Sequence, residues 1–445
     1  MYKKIFLLLS FYWVSLGAMS IDEVIDKALL NNNKLKKVSV EVKEAESFKE
    51  SLKSKNFGRI DFLASYDYYN KPRTLAPLEP IKMVSGTGAY GVPTTNNMFM
   101  GGVAYNVVLF DGFAQRNSYK ISDIAHNTSI MKSKLAKEEL IYNVRTLYVS
   151  VLALKEQYNA QHLYTLSQKK LYKNIEQKYL LGSKSKLDLL KAQNSYQESL
   201  SRENVIQANI DILKSTLTML MGGYPIDKVS KIEFDMESED DDIAQNNLDT
   251  LDRYKIAKLQ SDIASKKVKK ASALYYPVID FSAYYGYAFG PNSTTNTYPK
   301  TGEKVISEND MNSENIWQLG VHLKWNIYDF GVRSSTVQKE KLALESSRLE
   351  LNDIRLELQK DIQTAKSKLR LQKANYLSAQ TQYRLLQEIV KAQELKYDTD
   401  AITIDDLLDS KAKENIAFAQ MSGAKYEYLK IKYYMEYLYE KGDKK

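Results

Sequence analysis

The chain has 445 residues, 44% of them hydrophobic and 27% charged, with a formal net charge of +8 and no cysteine. This is the balance of an ordered chain, and the missing cysteine excludes disulfides, thiolate metal sites and lipid attachment at a cysteine. The positive charge does not mark a nucleic-acid binder, because lysines alternate with acids as on a solvated helical face.

Lys3 and Lys4, the apolar stretch Ile5 to Leu16 and the small-residue site Ala18-Met19-Ser20 read as a secretory signal over residues 1–20, cut before Ile21. The apolar run is shorter than the roughly 20 residues of a spanning helix, and none elsewhere reaches that length. From Ile21 the pattern Ile21, Val24, Ile25, Ala28, Leu29 predicts a short amphipathic helix ending at Asn31-Asn32-Asn33, and a second helix runs from about 34 to 55. The period then falls to two. Ile60, Phe62, Ala64, Tyr66 and Tyr68 alternate with Asp61, Leu63, Ser65, Asp67 and Tyr69, a strand over about 59–70. A loop at 71–100 holds four of the eight prolines with Gly86, Gly88 and Gly91, and Val103, Tyr105, Val107 and Leu109 mark a strand over about 101–111.

From Phe113 to Leu181 run 69 residues without glycine or proline, a helix of about 100 Å at 1.5 Å per residue. Leu140, Val144, Leu147, Val151, Leu154 and Tyr158 step by four and three along it, the seam of a coiled-coil-like contact. A turn at Gly182 leads to a return helix over 186–221, which completes a first repeat, 21–224. An acidic linker at 225–250 follows. Its residues 233–242 carry seven acids in ten, without the glycine-turned spacing of an oxygen cage. The second repeat, 251–440, has a helix from about 251 to 273, strands at about 277–289 and 316–328, a long helix at 332–399 and a last helix at 404–440.

The repeat is a matter of spacing. Phe110-Asp111-Gly112 recurs as Tyr328-Asp329-Phe330, Lys178-Tyr179 as Lys396-Tyr397, and Asp188-Leu189-Leu190 as Asp406-Leu407-Leu408, each at an offset of 218. Aromatic-rich strands in an otherwise helical, exported chain fit a membrane barrel wall with interfacial aromatics. Four strands cannot close, and lipid tolerates no unpaired backbone. Three chains would give 12 strands.

At this point the chain resembles the TolC family of outer-membrane efflux and secretion channels. The most specific marks are Lys178-Tyr179-Leu180-Leu181-Gly182-Ser183 leading into Leu187-Asp188-Leu189-Leu190-Lys191-Ala192-Gln193, and the junctions Leu109-Phe110-Asp111-Gly112 and Ile327-Tyr328-Asp329-Phe330-Gly331. The resemblance implies a mainly α chain with a membrane β-barrel part. It implies a homotrimer whose 12-stranded barrel in the outer membrane continues into a long α-helical barrel through the periplasm. The partners it implies are a periplasmic adaptor protein and an inner-membrane pump, and the function it implies is passive conduction for efflux or type I secretion. It further implies a periplasmic gate of Tyr397, Ile402, Asp406, Asp409 and Asp188, with adaptor-docking turns at Gly182, Ser183, Lys184, Ser185, Asp400 and Ala401. Two positions depart from the pattern: Asp400 replaces the usual turn glycine, and Ile402 stands where relatives carry an arginine.

No catalytic set, cofactor loop or metal pair is expected, since His126, His162 and His322 are isolated. Phe62, Tyr66, Phe281, Tyr285, Leu323 and Trp325 are expected to face lipid, and Asp61, Asp280, His322 and Lys324 the other way. Asp406 and Asp409, three apart, are expected to form stacked carboxylate rings about a threefold axis, or else to serve as helix N-terminal charges, a role Asp405 could fill. The alternative architecture is a secreted trimeric coiled-coil or adhesin-like protein, which explains the heptads but not the paired strands.

Overall fold

A computed structural model describes residues 18–77, 92–232, 248–293, 296–297, 302, 304–399 and 401–442. The basic and apolar parts of the signal, Gly86, Gly88 and Gly91, the acidic run 233–242 and Asp400 lie outside the described residues. The chain divides into two compact units. One comprises Met1–Val42, Ser129–Ala257 and Leu351–Lys445, the other Lys43–Thr128 and Lys258–Glu350.

Seven α-helices are described: α1 (Ile21–Asn31), α2 (Asn33–Ser54), α3 (Ala114–Leu180), α4 (Lys186–Leu220), α5 (Asp252–Ser272), α6 (Val332–Asp398) and α7 (Ile404–Leu438). The strands are β1 (Arg59–Thr74), β2 (Thr94–Phe110), β3 (Val278–Pro291), the short β4 (Asn296–Thr297) and β5 (Lys304–Ile306), and β6 (Met311–Lys324). No described helix is long and apolar enough to cross a membrane.

In the second unit β1, β2, β3 and β6 form an antiparallel sheet in that order, so β1 and β6 each keep one edge without a strand neighbour among the described residues. The register sorts the side chains cleanly, because residues two apart share a face. Phe62, Val103, Tyr285 and Trp317 are directly opposite one another across the four strands, and Phe281 pairs with Val321 and Ile279 with Leu323 on the same face. There the Phe99 ring lies 4.6 Å from Tyr66 and 5.3 Å from Phe289. Asp61, Ala104, Tyr284 and Gln318 make the matching row on the opposite face, where His322 Nδ1 lies 3.2 Å from Asp280 Oδ2. On that face Tyr284 lies over Gly102 and Gly286: a Cβ on Gly102 would fall 2.6 Å from the phenol oxygen, and one on Gly286 would be 2.5 Å from the Gly101 carbonyl oxygen.

Strand gives way to long helix by one device in both repeats. The chain takes two successive left-handed residues, Gly112 and Phe113 in one, Phe330 and Gly331 in the other. The preceding aspartate caps the new helix, Asp111 accepting from the Gln115 N–H at 2.8 Å and Asp329 from the Arg333 N–H at 3.0 Å. Arg333 also donates to the carbonyls of Asn326 and Ile327, which pins the end of β6 to the start of α6.

The first unit is a helical bundle. Its core joins Val24, Ile25 and Ala28 of α1 with Leu140, Ile141, Val144, Tyr148 and Val151 of α3, Ile210 and Leu217 of α4, and Tyr426 and Leu429 of α7. Leu147, Leu154 and Tyr158 pack on this core, so the predicted seam of α3 lies against it. The buried Tyr148 hydroxyl donates to the carbonyl of Met19 at 2.7 Å or that of Ser230 at 2.9 Å, and burial pushes its phenol up to about 12. Met19 in turn pairs with the 228–230 segment, and Ser20 caps α1 in a reciprocal box with Glu23. The boundary expected before Ile21 therefore falls within a folded segment.

Candidate functional site

The two turns that join the long helices to their return helices lie in the first unit and close in the same way. Ser183 N–H donates to the Lys178 carbonyl at 2.8 Å, and at an offset of 218 Ala401 N–H donates to the Lys396 carbonyl at 2.9 Å. Gly182 takes the left-handed conformation that ends α3. Each return helix opens with a capping box, Ser185 with Asp188 and Thr403 with Asp406. The Asp406 carboxylate receives the Thr403 hydroxyl at 2.6 Å and its N–H at 3.0 Å. Those two bonds, the hydroxyl's first, hold its carboxyl below the usual carboxylate range.

The N-terminal capping role therefore belongs to Asp406 and not to Asp405, because only a side chain at the third helical position can reach back to the cap. Asp405 instead takes Lys191 of α4 at 2.6 Å, tying the start of α7 to the first repeat. Asp409 is held by Lys413 one turn on, at 2.6 Å. Asp188 bonds to the Ser185 N–H and hydroxyl at 3.1 and 2.8 Å.

Tyr397 is buried. It belongs to an apolar cluster with Ile175, Ala192, Ile404 and Leu407, against which Ile402 and Leu189 pack. The ammonium groups of Lys184 and Lys178 lie 5.5 and 5.8 Å from its ring centre. Ile402 thus contributes apolar contact where an arginine would bring charge. The structure brings Tyr397, Ile402 and Lys184 together but leaves Asp188, Asp406 and Asp409 each engaged within its own helix start. Leu180, Leu181, Leu187 and Leu190 are exposed around the first turn, beside Gly182 and Ser183. The pairing of Lys191 with Asp405 carries no local signal in the sequence, because their meeting depends on how one repeat packs on the other.

Above the turns a cavity of about 270 Å³ is lined by Tyr164, Ser167, Tyr383, Glu394, Lys411 and Glu414 among others. Lys411 bridges Glu394 at 2.5 Å and the Ser167 hydroxyl at 2.9 Å. Burial, with Glu394 close by, raises the Glu414 carboxyl despite Lys411. His162 pairs with Glu203 at 2.8 Å. Among the described residues no group of three or more His, Cys, Asp or Glu side chains could hold a metal ion.

The family described as outer membrane efflux protein matches residues 24–223 and 255–432. The outer membrane protein TolC of Vibrio cholerae is 23% identical over 185 residues, 42% of this chain and 39% of that protein. The outer membrane efflux protein BepC of Brucella suis is 22% identical over 304 residues, 65% of this chain and 62% of that protein. The chain thus matches less than two thirds of the length of either relative. The crystal structure of the CmeC outer membrane channel of Campylobacter jejuni superposes with a TM-score of 0.76 at 18% identity, over 95% of this chain and 86% of that one.

Proposed function

Because this chain belongs to the outer membrane efflux protein family, we propose that it is the exit duct of a tripartite efflux or type I secretion system. It conducts substrates passively from an inner-membrane pump across the periplasm and outer membrane. The observation that carries this reading is the sheet, with one aromatic and aliphatic face, one polar face, and an open edge on each side. In a barrel of three chains the apolar face meets lipid, the polar face lines the channel, and β1 of one copy pairs with β6 of the next.

Two further rows support the trimer. Val205, Ile212 and Met219 on α4, and Leu342, Leu349 and Leu356 on α6, are exposed apolar residues at intervals of seven. That is the spacing of a seam awaiting a neighbouring helix. A fibre or adhesin could use such seams, but it has no use for a two-faced sheet.

The periplasmic entrance is formed by the two turns. The exposed leucines around Gly182, with Ser183, Lys184 and Ser185, suit docking of an adaptor, and Ala401 belongs to the second tip. Closure rests on the apolar packing of Tyr397 and Ile402 and on the Lys191–Asp405 tie, with Asp188 and Asp406 setting the helix starts and Asp409 adding charge. Half-exposed ion pairs add only about 0–1 kcal/mol, so this tie positions the tip more than it stabilises the fold. Planar-bilayer recording of the purified trimer tests the reading. Steady conductance is expected, raised by Lys191→Glu and brought back by Lys191→Glu with Asp405→Lys. A protein recovered only as a soluble monomer, or one that never conducts, would overturn the duct.

A further inference from the structure

The cavity of about 270 Å³ above the turns takes one face from each of three helices. α3 brings Tyr164 and Ser167, α6 brings Tyr383 and Glu394, and α7 brings Lys411, Glu414 and Phe418, which follow one another at helical spacing. The Tyr383 and Phe418 rings meet edge to face at 5.3 Å, so that α6 and α7 share an aromatic wall.

The charges in this cavity do not balance. Lys411 is committed to Glu394 and to the Ser167 hydroxyl. Lys391, the other cation that acts on Glu414, is taken by Glu388 at 2.8 Å. Glu414 itself makes no hydrogen bond or ion pair among the described residues. Two carboxylates thus share one ammonium, and the one left over is half-buried. Its charge is felt nearby: burial first, then Glu414, pushes the Tyr383 phenol up. A half-buried charge without a partner costs free energy that an added cation would recover.

The walls select the cation. Among the described residues no group of three or more carboxylates or histidines could hold a metal ion. Aromatic rings favour an organic cation instead, because its positive end is drawn to ring faces and its apolar body displaces water beside them. The volume is just under the roughly 300–1,000 Å³ of drug-sized pockets, which suits a single ring bearing one ammonium group. Occupancy also bears on the tip. The cavity requires α6 and α7 of the second repeat to be packed on α3 of the first, and Ser167, Glu394 and Lys411 line an adjoining cavity of about 340 Å³ with Tyr397 and Leu407. Resting on the closure described above for the duct, we propose that the cavity between α3, α6 and α7 binds a small aromatic ammonium cation, with Glu414 as its counter-ion and Tyr164, Tyr383 and Phe418 around its body, and that occupancy holds the second tip in its packed arrangement.

The probe is 4-fluorophenethylammonium, its binding to the detergent-extracted protein read by fluorine NMR line broadening. Glu414→Gln is expected to weaken binding about tenfold, the worth of one charge-assisted contact, whereas Glu414→Asp, which keeps the charge, should retain most of it. Ala160→Leu fills the cavity from α3 without changing any charge and should also weaken binding. Glu46→Gln removes an equal charge from α2 in the other unit and should leave it unchanged. 2-(4-Fluorophenyl)ethanol, the same body without charge, should bind far less, and ammonium chloride at equal concentration should not displace the probe. Lys191→Glu, which releases the tip, should weaken binding about fivefold, and by reciprocity the probe should lower that variant's conductance. Equal affinity in Glu414→Gln and the parent, equal binding of the neutral analogue, or displacement by ammonium alone would each overturn the site. Unchanged affinity in Lys191→Glu would overturn its link to the tip. A protein that binds the probe as described yet never conducts would overturn the duct and leave the site standing.

Discussion

Which way a single carboxylate points decides what the starts of α4 and α7 can do. Asp406 is turned back on Thr403, and its pKa is depressed in the folded chain. A depressed carboxyl stabilises above its unfolded value of about 3.9 and loses that contribution as pH falls through the folded value. Amide protection in the first turn of α7 is therefore expected to decline below about pH 4. Thr403→Ala should abolish that decline while costing about 1 kcal/mol of local stability. Hydrogen exchange read by mass spectrometry checks both, and protection independent of pH in the parent chain would refute the assignment. A second expectation concerns processing. A chain beginning at Ile21 would lack the Ser20 cap and the Met19 pairing that Tyr148 secures. Ser15 and Gly17 offer small residues three and one before Ala18, so the signal is expected to be cut after Gly17. N-terminal sequencing of the membrane-purified protein should read Ala-Met-Ser-Ile, and a start at Ile-Asp-Glu would contradict it.

Among the elements, the sheet shows most clearly what a sequence discloses. The two-residue period of Ile60 to Tyr68 and of Ile279 to Tyr287 separated the faces, because alternation alone sets which side a strand residue takes. The absence of glycine and proline exposed the two long helices, and the heptads of α3 exposed a buried seam. Closer contacts were not legible. Asp188 and Asp406 look the same in sequence whether they cap a helix or face a pore, since only the rotamer differs. The place of Gly102 and Gly286 under Tyr284 depends on register. Gly286→Ala would put a methyl group onto the Tyr284 hydroxyl and the Gly101 carbonyl, so it is expected to abolish assembled trimers in outer-membrane fractions. Gly423→Ala, with nothing within 4 Å in α7, should be tolerated and gain up to about 1 kcal/mol. Trimers at normal yield from Gly286→Ala would show that the strands are spaced differently.

For the whole molecule, the proposed trimer depends on surfaces that a single chain leaves uncovered. Ile212 is 61% exposed and faces away from the core that holds Ile210 and Leu217. Ile212→Glu is therefore expected to leave helical content nearly unchanged while shifting the detergent-extracted protein from trimer to monomer, as read by native mass spectrometry. Loss of helix without dissociation would place Ile212 within the fold instead. The two tips carry a consequence of another kind. They close with matching hydrogen bonds 218 residues apart, yet Tyr397 is buried while its counterpart Tyr179 stands open. An ancestral duplication would have begun with interchangeable copies, and here they have parted ways. The second copy has surrendered its freedom to vary by anchoring its tip in shared packing, and the first has kept it. In the proposed duct the first tip can therefore be changed without disturbing the packing that holds the second.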